Sequence, residues 1–335
     1  MFTFPSNNNL SSLKIVAHRG SPNYLPENTL ESFAVAMYSG ADFIELDIQL
    51  TKDNHIIVFH DPYLSRVTDI EKFPEFKDRR RVRDYKGQPL NDFFTIDFTL
   101  EELKKLSIFQ KINPKRVNVF DGRFHIPTLT EVLEFVIQEN SRKKSLEEDY
   151  EAIGVFLEVK DGDFYRNSSI DIGSNLLSLL QSLNLSTQAE CKQVCPLTII
   201  SFDKTTLKFF SSQTDLELDQ LVSKEEEFSF DEISKYAQIV GPAYSLLFRG
   251  ETVKEQSSFT IEAREKGLKI FPWTLKDDDL KLKASSEEIH KALFLYGLVD
   301  GITTDFPEKA KAILELLKNE FALQKEDEKM KINFH

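Results

Sequence analysis

The sequence predicts an α/β fold, an irregular TIM or (β/α)8 barrel, and two observations lead to this prediction. Short apolar runs alternate with amphipathic stretches along most of the 335 residues, which is the pattern of repeated strand–helix units. Several of the apolar runs are continuous and β-branched, as is typical of parallel strands buried on both faces. Alternation over this length favours a closed barrel over an open, doubly wound sheet, which is the alternative fold.

Nine segments have the character of buried strands, although an eight-stranded barrel has one place fewer. They are residues 14–17, 43–48, 56–60, 154–160, 197–202, 216–222, 238–241, 269–273 and 299–303. The link from Leu50 to Ile56 is too short for the helical crossover that two parallel strands need. The second and third segments therefore form a hairpin-like irregularity, or one of the nine lies outside the barrel.

Three helices begin with a residue that can cap the first turn, followed three positions later by a glutamate. The pairs are Asn28 with Glu31, Thr99 with Glu102, and Thr128 with Glu131. Gly40 is expected to end the first of these helices.

The strand–helix rhythm divides the chain into a leader, a barrel and a tail. Residues 1–12 are a polar leader, residues 13–315 the barrel, and residues 316–335 a C-terminal helix end and polar tail. Residues 62–124 break the rhythm, so they are expected to form an insertion on the loop face of the barrel. The basic run at residues 77–83 is expected to be a solvated face of that insertion, with a local phosphate or partner contact as the alternative.

Charge and hydropathy exclude several classes of partner. Lys and Arg number 42 against 55 Asp and Glu, a net charge of −13, which argues against a general binder of nucleic acid or anionic membranes. The longest apolar runs are far shorter than the roughly 20 residues that span a bilayer. We therefore expect no membrane span and no nucleic-acid partner.

The N-terminus and the cysteines bear on the cell compartment. The first residues lack the basic start and apolar stretch of a secretory signal, which predicts a cytoplasmic protein. A secreted or periplasmic mature form is the alternative. Cys191 and Cys195 are too few for a disulfide framework or a four-cysteine zinc site, so we expect reduced thiols.

Acidic residues interrupt two of the apolar strands. Glu45 and Asp47 are two positions apart, so both carboxylates project from one face of their strand. Glu158 lies in another apolar run, with Lys160 on the same face. Carboxylates desolvated side by side are costly unless a cation or protons compensate them. The pattern favours a hard divalent cation, Ca2+ or Mg2+, over the alternative of two salt bridges.

Two histidines stand where strands end, which is where barrel enzymes keep their sites. His18 follows the first strand and His60 closes the third. A lone histidine at such a place is more often structural, but Arg19 beside His18 can grip a phosphate with two parallel hydrogen bonds. Two histidines can act as base and acid on opposite sides of a reacting phosphorus.

Together and in this order, these residues resemble the glycerophosphodiester phosphodiesterase family. The matching stretches are residues 18–20, 26–29, 45–47, 50–53, 60–61, 157–160, 201–202, 273–274 and 300–307. The resemblance covers roughly residues 14–315. Residues 97–103 are similar to the insertion of the family's longer branch, found in bacterial periplasmic and plant-type members.

The resemblance implies a TIM barrel of the phospholipase C-like phosphodiesterase type. It also implies one divalent cation held by Glu45, Asp47 and Glu158, with Ca2+ and Mg2+ both open. His18 and His60 would then form the acid–base pair that hydrolyses glycerophosphodiesters to glycerol 3-phosphate and an alcohol. The partner is therefore a small molecule; the oligomeric state stays open.

Three further residues are candidates for binding the substrate. Arg19 and Lys160 are expected to face the phosphate. Trp273, at a strand end, is either core or the apolar wall for the glycerol group, and the resemblance favours the wall. Two positions depart from the family, since Ile200 stands where members often carry Gln and Lys276 where Asn often follows the Trp-Thr pair.

Two rival functions compete with this interpretation. A lysophospholipase D or sphingomyelinase D-like hydrolase on the same barrel would need an exposed apolar lip or groove near the site. A non-catalytic binding module would usually lack a histidine or a metal carboxylate of the set. His125, near the end of the insertion, is expected to be a surface or packing residue, with lining of the pocket as the alternative.

Overall fold

The computed structural model describes residues 10–147, 149–192, 194–224, 228–296 and 299–333, without the side chains of 324–333. Within these residues, the strands are β1 (Lys14–Ala17), β2 (Phe43–Leu50), β3 (Ile56–Val58), β4 (Arg81–Tyr85), β5 (Gln88–Asp92), β6 (Ser107–Ile108), β7 (Phe124–His125), β8 (Gly154–Val159), β9 (Leu197–Ser201), β10 (Glu217–Val222), β11 (Ile239–Pro242), β12 (Lys269–Ile270) and β13 (Gly301–Thr304). The helices are α1 (Leu30–Tyr38), α2 (Leu100–Leu103), α3 (Leu129–Lys144), α4 (Gly162–Asn167), α5 (Ile172–Ser182), α6 (Gln188–Cys191), α7 (Lys204–Gln213), α8 (Phe230–Ile233), α9 (Phe259–Glu265), α10 (Ser286–Leu295) and α11 (Pro307–Asn333).

Eight parallel strands form a nearly closed barrel, in the order β12-β11-β10-β9-β8-β2-β1-β13. Hydrogen bonds join its two end strands, since the Asp300 and Thr303 N–H groups donate to the Ile270 and Pro272 carbonyls, both at 2.9 Å. Apolar side chains from several strands, including Phe156, fill a small interior cluster. The larger core lies between the barrel and its helices. The predicted barrel is therefore confirmed.

The ninth predicted strand lies outside the barrel. β3 runs antiparallel to β2, with Val58 opposite Ile48 and Ile56 opposite Leu50. The hairpin irregularity expected from the short link is thus the observed arrangement. β3 therefore brings the residues that follow it back to the strand carrying the two acidic residues.

Residues 62–124 form a separate unit on the barrel. It contains the hairpins β4–β5 and β6–β7, the short helix α2 and three 3-10 helices, packed around their own apolar cluster. The basic run is only partly solvated, because the guanidinium of Arg79 lies 3.9 Å from the Phe98 ring centroid and Arg83 pairs with Asp97 at 2.6 Å. None of residues 77–83 is buried, so the expected solvated face is confirmed in part, while aromatic rings and carboxylates within the insertion bind some of its charge.

Helix starts agree with the capping pattern in two of three places. Thr99 and Thr128 each make a capping box with the glutamate three residues on. At α1 the cap is Thr29, whose hydroxyl accepts the Ser32 N–H, so the assignment of Asn28 as cap was wrong. Asn28 has φ = +58° and its side chain is bonded to Asp47 instead.

The first and last elements of the described chain pack on the barrel core, through Leu10 in one and Leu314 and Leu317 in the other. Residues 1–9 of the expected leader lie outside the described residues, and Leu10–Ser12 forms a 3-10 helix with Leu10 buried. Helix α11 extends to Asn333, so the segment expected to be a helix end and polar tail is helical as far as that residue. Its sequence is rich in Ala, Leu, Glu and Lys, which are strong helix formers. No described helix is long and apolar enough to cross a bilayer.

Candidate active site

Every sequence-predicted site residue lies at the C-terminal end of the barrel. His18 and Arg19 follow β1, Glu45 and Asp47 lie in β2, His60 follows β3, Glu158 lies in β8 with Lys160 just after it, and Trp273 lies beyond β12. Parallel strands bring these positions to one mouth, and β3 returns His60 to it. The predicted convergence is confirmed.

Three buried carboxylates lie together at this mouth. Register pairs Asp47 with Glu158 across β2 and β8, and Glu45 projects from the same face of β2. Glu45, Asp47 and Glu158 each offer an oxygen within 4.8 Å of the others, and this is the single such group among the described residues. Oε1 of Glu45 and Oε1 of Glu158 are buried without a hydrogen-bond partner.

We call Glu45, Asp47 and Glu158 the acidic triad; their pKa values are shifted in different directions. Burial, followed by repulsion from Asp47 and Glu158, raises the pKa of Glu45 well above its usual value. Burial likewise raises the pKa of Glu158 to about 7. Burial opposes the charge of Asp47 too, but Lys160 and Arg19 outweigh it and hold its pKa well below the usual range. Buried carboxylate oxygens without partners are the donors that Ca2+ and Mg2+ prefer, so these residues fit a divalent cation.

Two cationic side chains lie against the triad. Lys160 Nζ is 2.8 Å from Glu158 Oε2 and 3.2 Å from Asp47 Oδ1. Arg19 Nε is 3.1 Å from Asp47 Oδ2, and the Arg19 main-chain N–H donates to Glu45 Oε2 at 2.8 Å. Arg19 has φ = +54°, a left-handed conformation that aims its amide at this carboxylate. Both cations therefore lie where an anionic group beside the triad would meet them.

His18 is held by a carboxylate. Its Nδ1 is 2.6 Å from Asp305 Oδ1, while Asp305 Oδ2 is 2.7 Å from Arg116 Nη2. Burial, then the charge of Arg19, lowers the pKa of His18 to about 4. The ring is therefore neutral at neutral pH. The bond to Asp305 assigns the proton to Nδ1, so Nε2 is the nitrogen that can accept one.

His60 is held by a carboxylate in the same way. Its Nδ1 is 2.5 Å from Asp61 Oδ1, and Arg66 Nε donates to Asp61 Oδ2. Burial, then the charges of Arg19 and Lys160, lowers the pKa of His60 to about 4. The His60 side chain is 23% exposed against 10% for His18. His60 is therefore the histidine with more access to solvent.

Further residues support these groups, and the sequence interpretation gave them no role in the site. Asn28 Nδ2 donates to Asp47 Oδ2 at 2.8 Å. The Glu27 carboxylate forms ion pairs with both Arg19 and Arg66, and it lies 2.6 Å from Arg66 Nη2. Glu27 and Asn28 lie in a stretch that matches the family pattern, which was the signal available. Arg66 lies in the insertion, where nothing in the sequence distinguished it from other basic residues.

A cavity of about 1040 Å³ opens beside His60, Glu158 and Lys160. Trp273 lines it together with Phe202, the two rings meeting edge to face at 5.2 Å. Trp273 is therefore a wall of the cavity, and its indole N–H donates to the Gly241 carbonyl at 2.7 Å. On the far side, the β4–β5 hairpin reaches the cavity through Tyr85 and Lys86.

The remaining sequence-predicted residues fall outside this cavity. His125 is exposed and its Nδ1 lies 2.9 Å from the Leu106 carbonyl, as expected of a surface residue. Cys191 and Cys195 are buried free thiols. Of the two departures from the family, Ile200 packs in the barrel interior, whereas Lys276 lies close enough to His18 for its charge to lower the pKa of that ring.

Comparison with known proteins identifies relatives along nearly the whole chain. The model of the glycerophosphoryl diester phosphodiesterase family matches residues 18–309. A glycerophosphodiester phosphodiesterase of Haemophilus influenzae is 26% identical, with 91% of this chain and 90% of that protein covered. One of Arabidopsis thaliana is 28% identical, covering 87% of this chain and 83% of that protein.

Solved structures share the fold. An Oleispira antarctica phosphodiesterase in complex with the product sn-glycerol-3-phosphate matches with a TM-score of 0.61 and 22% identity, over 90% of this chain and 96% of that one. A glycerophosphodiester phosphodiesterase from Thermotoga maritima matches with a TM-score of 0.54 and 24% identity, over 88% of this chain and 96% of that one. The fold is thus shared, and because the family model spans most of the chain, the protein belongs to the glycerophosphoryl diester phosphodiesterase family.

Proposed function

We propose that this protein hydrolyses glycerophosphodiesters to glycerol 3-phosphate and an alcohol, using one divalent cation and two histidines. The observation that carries the proposal is the juxtaposition of three buried carboxylates with two carboxylate-held histidines at one barrel mouth. Family membership supports the same reaction, since the relatives are named for it. A non-catalytic binding module is less well supported, because all five of these side chains are present.

Glu45, Asp47 and Glu158 are the residues that would hold the cation. Bound there, Ca2+ or Mg2+ would neutralise charge on the phosphate oxygens and orient the substrate. The raised pKa values of Glu45 and Glu158 support this assignment, because burial and the crowding of carboxylates outweigh the positive charges of Arg19 and Lys160.

Arg19 and Lys160 bind the phosphate in this proposal. Their cationic groups already lie 2.8 to 3.2 Å from carboxylate oxygens of the triad, so a phosphate placed beside the triad is within reach of both. The guanidinium can donate two parallel hydrogen bonds, and the ammonium adds a point charge. Trp273 and Phe202 supply the apolar wall beside this position, and the glycerol carbons pack on it.

The histidines move the protons. In the first step His18 Nε2 takes the proton of the attacking hydroxyl, a new P–O bond forms, and the bond to the leaving alcohol breaks. His60 gives its proton to the leaving oxygen, and the roles exchange in the second step. Both rings are neutral in the free protein at neutral pH, so His60 gains its proton when the anionic phosphate raises its pKa.

The attacking hydroxyl is the 2-hydroxyl of the substrate's own glycerol, and the product of the first step is a cyclic phosphate that water opens. Direct attack by water is the second possibility. A substrate without the 2-hydroxyl separates them. Internal attack predicts that this analogue is not cleaved, whereas cleavage at the normal rate identifies water as the nucleophile.

Metal removal tests the proposal as a whole. A panel of glycerophosphodiesters is assayed after chelation and after addition of Ca2+ or Mg2+, with release of glycerol 3-phosphate as the readout. We expect activity to disappear with chelator and return with one of the ions. Full activity in excess chelator would refute the cation, and turnover of lysophosphatidylcholine but not glycerophosphocholine would favour the lysophospholipase D-like alternative.

A further inference from the structure

An exposed apolar patch lies at the end of the insertion. We call residues 111–123 the lip. Val117, Val119 and Phe120 of this segment are 41%, 66% and 37% exposed. Single exposed apolar residues are ordinary on a soluble protein, but here three lie within four positions of one segment, and clustered exposed apolar side chains mark contact surfaces.

The lip is fixed to the barrel mouth by polar contacts. Arg116 binds Asp278 through Nε at 2.7 Å and Nη2 at 2.8 Å, and its Nη2 also lies 2.7 Å from Asp305 Oδ2. Asp278 follows β12 and Asp305 follows β13, both at the C-terminal end of the barrel. Since Asp305 also holds His18, the lip rests directly beside one of the two histidines.

Cationic side chains flank these apolar residues along the chain. Lys111, Lys115 and Arg123 are exposed, and none of them makes an ion pair with any residue the structure describes. This local charge stands out in a chain with a net charge of −13. Apolar side chains flanked by free cations are the combination that binds an anionic lipid surface, because the former enter the interface while the latter meet headgroup phosphates.

We propose that the lip docks the barrel mouth onto an anionic phospholipid surface. Val117, Val119 and Phe120 enter the interface, and Lys111, Lys115 and Arg123 contact the headgroups. The docking itself does not depend on the hydrolysis proposed above. Its consequence does rest on that function: the site faces the lipid, so glycerophosphodiesters that carry an acyl chain can reach it from the bilayer.

Vesicle co-sedimentation of the full chain tests the docking. The protein is mixed with vesicles of phosphatidylglycerol and phosphatidylcholine, or of phosphatidylcholine alone, at low and high salt. We expect binding to the anionic vesicles, weakened by salt. Val119→Asp should weaken that binding at least tenfold and Lys115→Glu about fivefold or more, as loss of one cation near the surface predicts.

Matched controls lie on other faces. Ile261→Asp changes a residue as exposed as Val119, at 63%, on helix α9. Lys192→Glu changes an exposed lysine beside α6, which precedes β9 and so lies towards the opposite end of the barrel. Both controls should bind vesicles like the wild type. All four variants should keep the wild-type thermal midpoint and turnover of a water-soluble glycerophosphodiester.

Three results would overturn the docking proposal. The first is absence of binding to anionic vesicles, and the second is equal binding by wild type and Val119→Asp. The third is a sedimentation coefficient that falls in Val119→Asp, since the lip would then join two copies of the chain. None of these results bears on the proposed hydrolysis, because vesicle binding and turnover of a soluble substrate are measured separately.

Discussion

The barrel and the insertion contribute different kinds of residue to the site. The barrel strands and the turns that follow them supply the three carboxylates and both proposed phosphate ligands. The insertion supplies Arg66 and Arg116, which bind the aspartates behind His60 and His18. The insertion also brings Tyr85 to Asp161 at the edge of the cavity, where the tyrosine hydroxyl donates at 3.2 Å.

This difference separates groups proposed to touch the substrate from groups that position them. A group that binds a phosphate or a cation must have one chemistry at one place, so the barrel residues fall in recognisable stretches. A group that only holds an aspartate needs a positive charge within reach, and many positions in a basic insertion can provide it. The following changes test that division, beginning with the barrel.

The largest effect is expected for Glu45→Gln. The amide cannot supply the anionic oxygen that a divalent cation needs, so activity should fall about 1000-fold, equivalent to roughly 4 kcal/mol. Cation affinity measured by calorimetry should fall with it. The cation-free protein should instead be more stable to heat, because a buried carboxyl group crowded by Asp47 and Glu158 has been replaced by a neutral amide.

Glu217→Gln is the matched control for this change. Glu217 begins β10 at the other end of the barrel and pairs with Lys269 at 2.5 Å. Its activity and cation affinity should remain at the wild-type level. Equal losses of activity and cation affinity in both variants would mean that the acidic triad does not bind the cation.

The next largest effect is expected for the histidines. His18→Ala or His60→Ala should each reduce kcat by at least about 100-fold, the scale of acid–base catalysis. His125→Ala, in the insertion, should have no effect because that ring is exposed and bonded only to a carbonyl. Retention of more than a tenth of wild-type activity in either active-site variant would contradict the assignment.

A smaller effect is expected in the pH dependence of stability. The folded pKa of His18, about 4, lies below the value of 6.5 in an unfolded chain. The unfolded state therefore binds more protons in that window, and stability falls as pH drops from 6.5 towards 4. Between pH 7 and pH 5 this residue should account for about 2 kcal/mol of lost unfolding free energy.

Denaturant titrations of the wild type and of His18→Asn at those two pH values measure this contribution. The asparagine does not titrate, so the loss of stability between pH 7 and pH 5 should be smaller by that amount. Equal losses in the two proteins would show that His18 is not held neutral by its surroundings.

The smallest of these effects is expected from the insertion, for Arg66→Met. Without this guanidinium, Asp61 loses a partner and holds His60 less firmly, so kcat should fall about tenfold, or roughly 1.4 kcal/mol. The alkaline limb of the kcat/KM profile, which reports the acid His60, should also move to higher pH, because the loss of a nearby positive charge makes protonation of the His60 ring less costly and raises its pKa.

Arg80→Met provides the control, since Arg80 lies in the same insertion and pairs with Glu71 away from both histidines. It should leave kcat and the pH profile unchanged. If Arg66→Met lowered activity as much as His60→Ala does, the insertion would be supplying a group that acts on the substrate directly, and the division between the two regions would fail.

Much of the barrel and of its mouth could be predicted from the sequence. Alternating apolar runs indicated the strands, and the short link after Leu50 indicated that one of nine would not fit. The spacing of Glu45 and Asp47 placed both carboxylates on one face, since neighbouring strand residues alternate. These signals are local, because each depends only on the periodicity of residues close together in the sequence.

Other features depended on contacts between distant parts of the chain. Asn28 has the residue type and the spacing of a helix cap, yet Thr29 caps α1 and Asn28 binds Asp47, because a φ of +58° turns its side chain towards β2. Arg66 and Arg116 had no local signal at all. Arg66 binds Glu27, 39 residues away in sequence, and Arg116 binds Asp305, 189 residues away.

The sequence by itself therefore determined that the chain forms a barrel and which residue types meet at its mouth. The tertiary structure decided which cation holds which carboxylate, which wall Trp273 forms, and that the apolar residues of the lip stand beside His18. The physical reason is the distance along the chain over which each kind of interaction acts. Periodicity and capping act within a few residues, whereas ion pairs and packing join side chains wherever the folded chain brings them within a few ångströms.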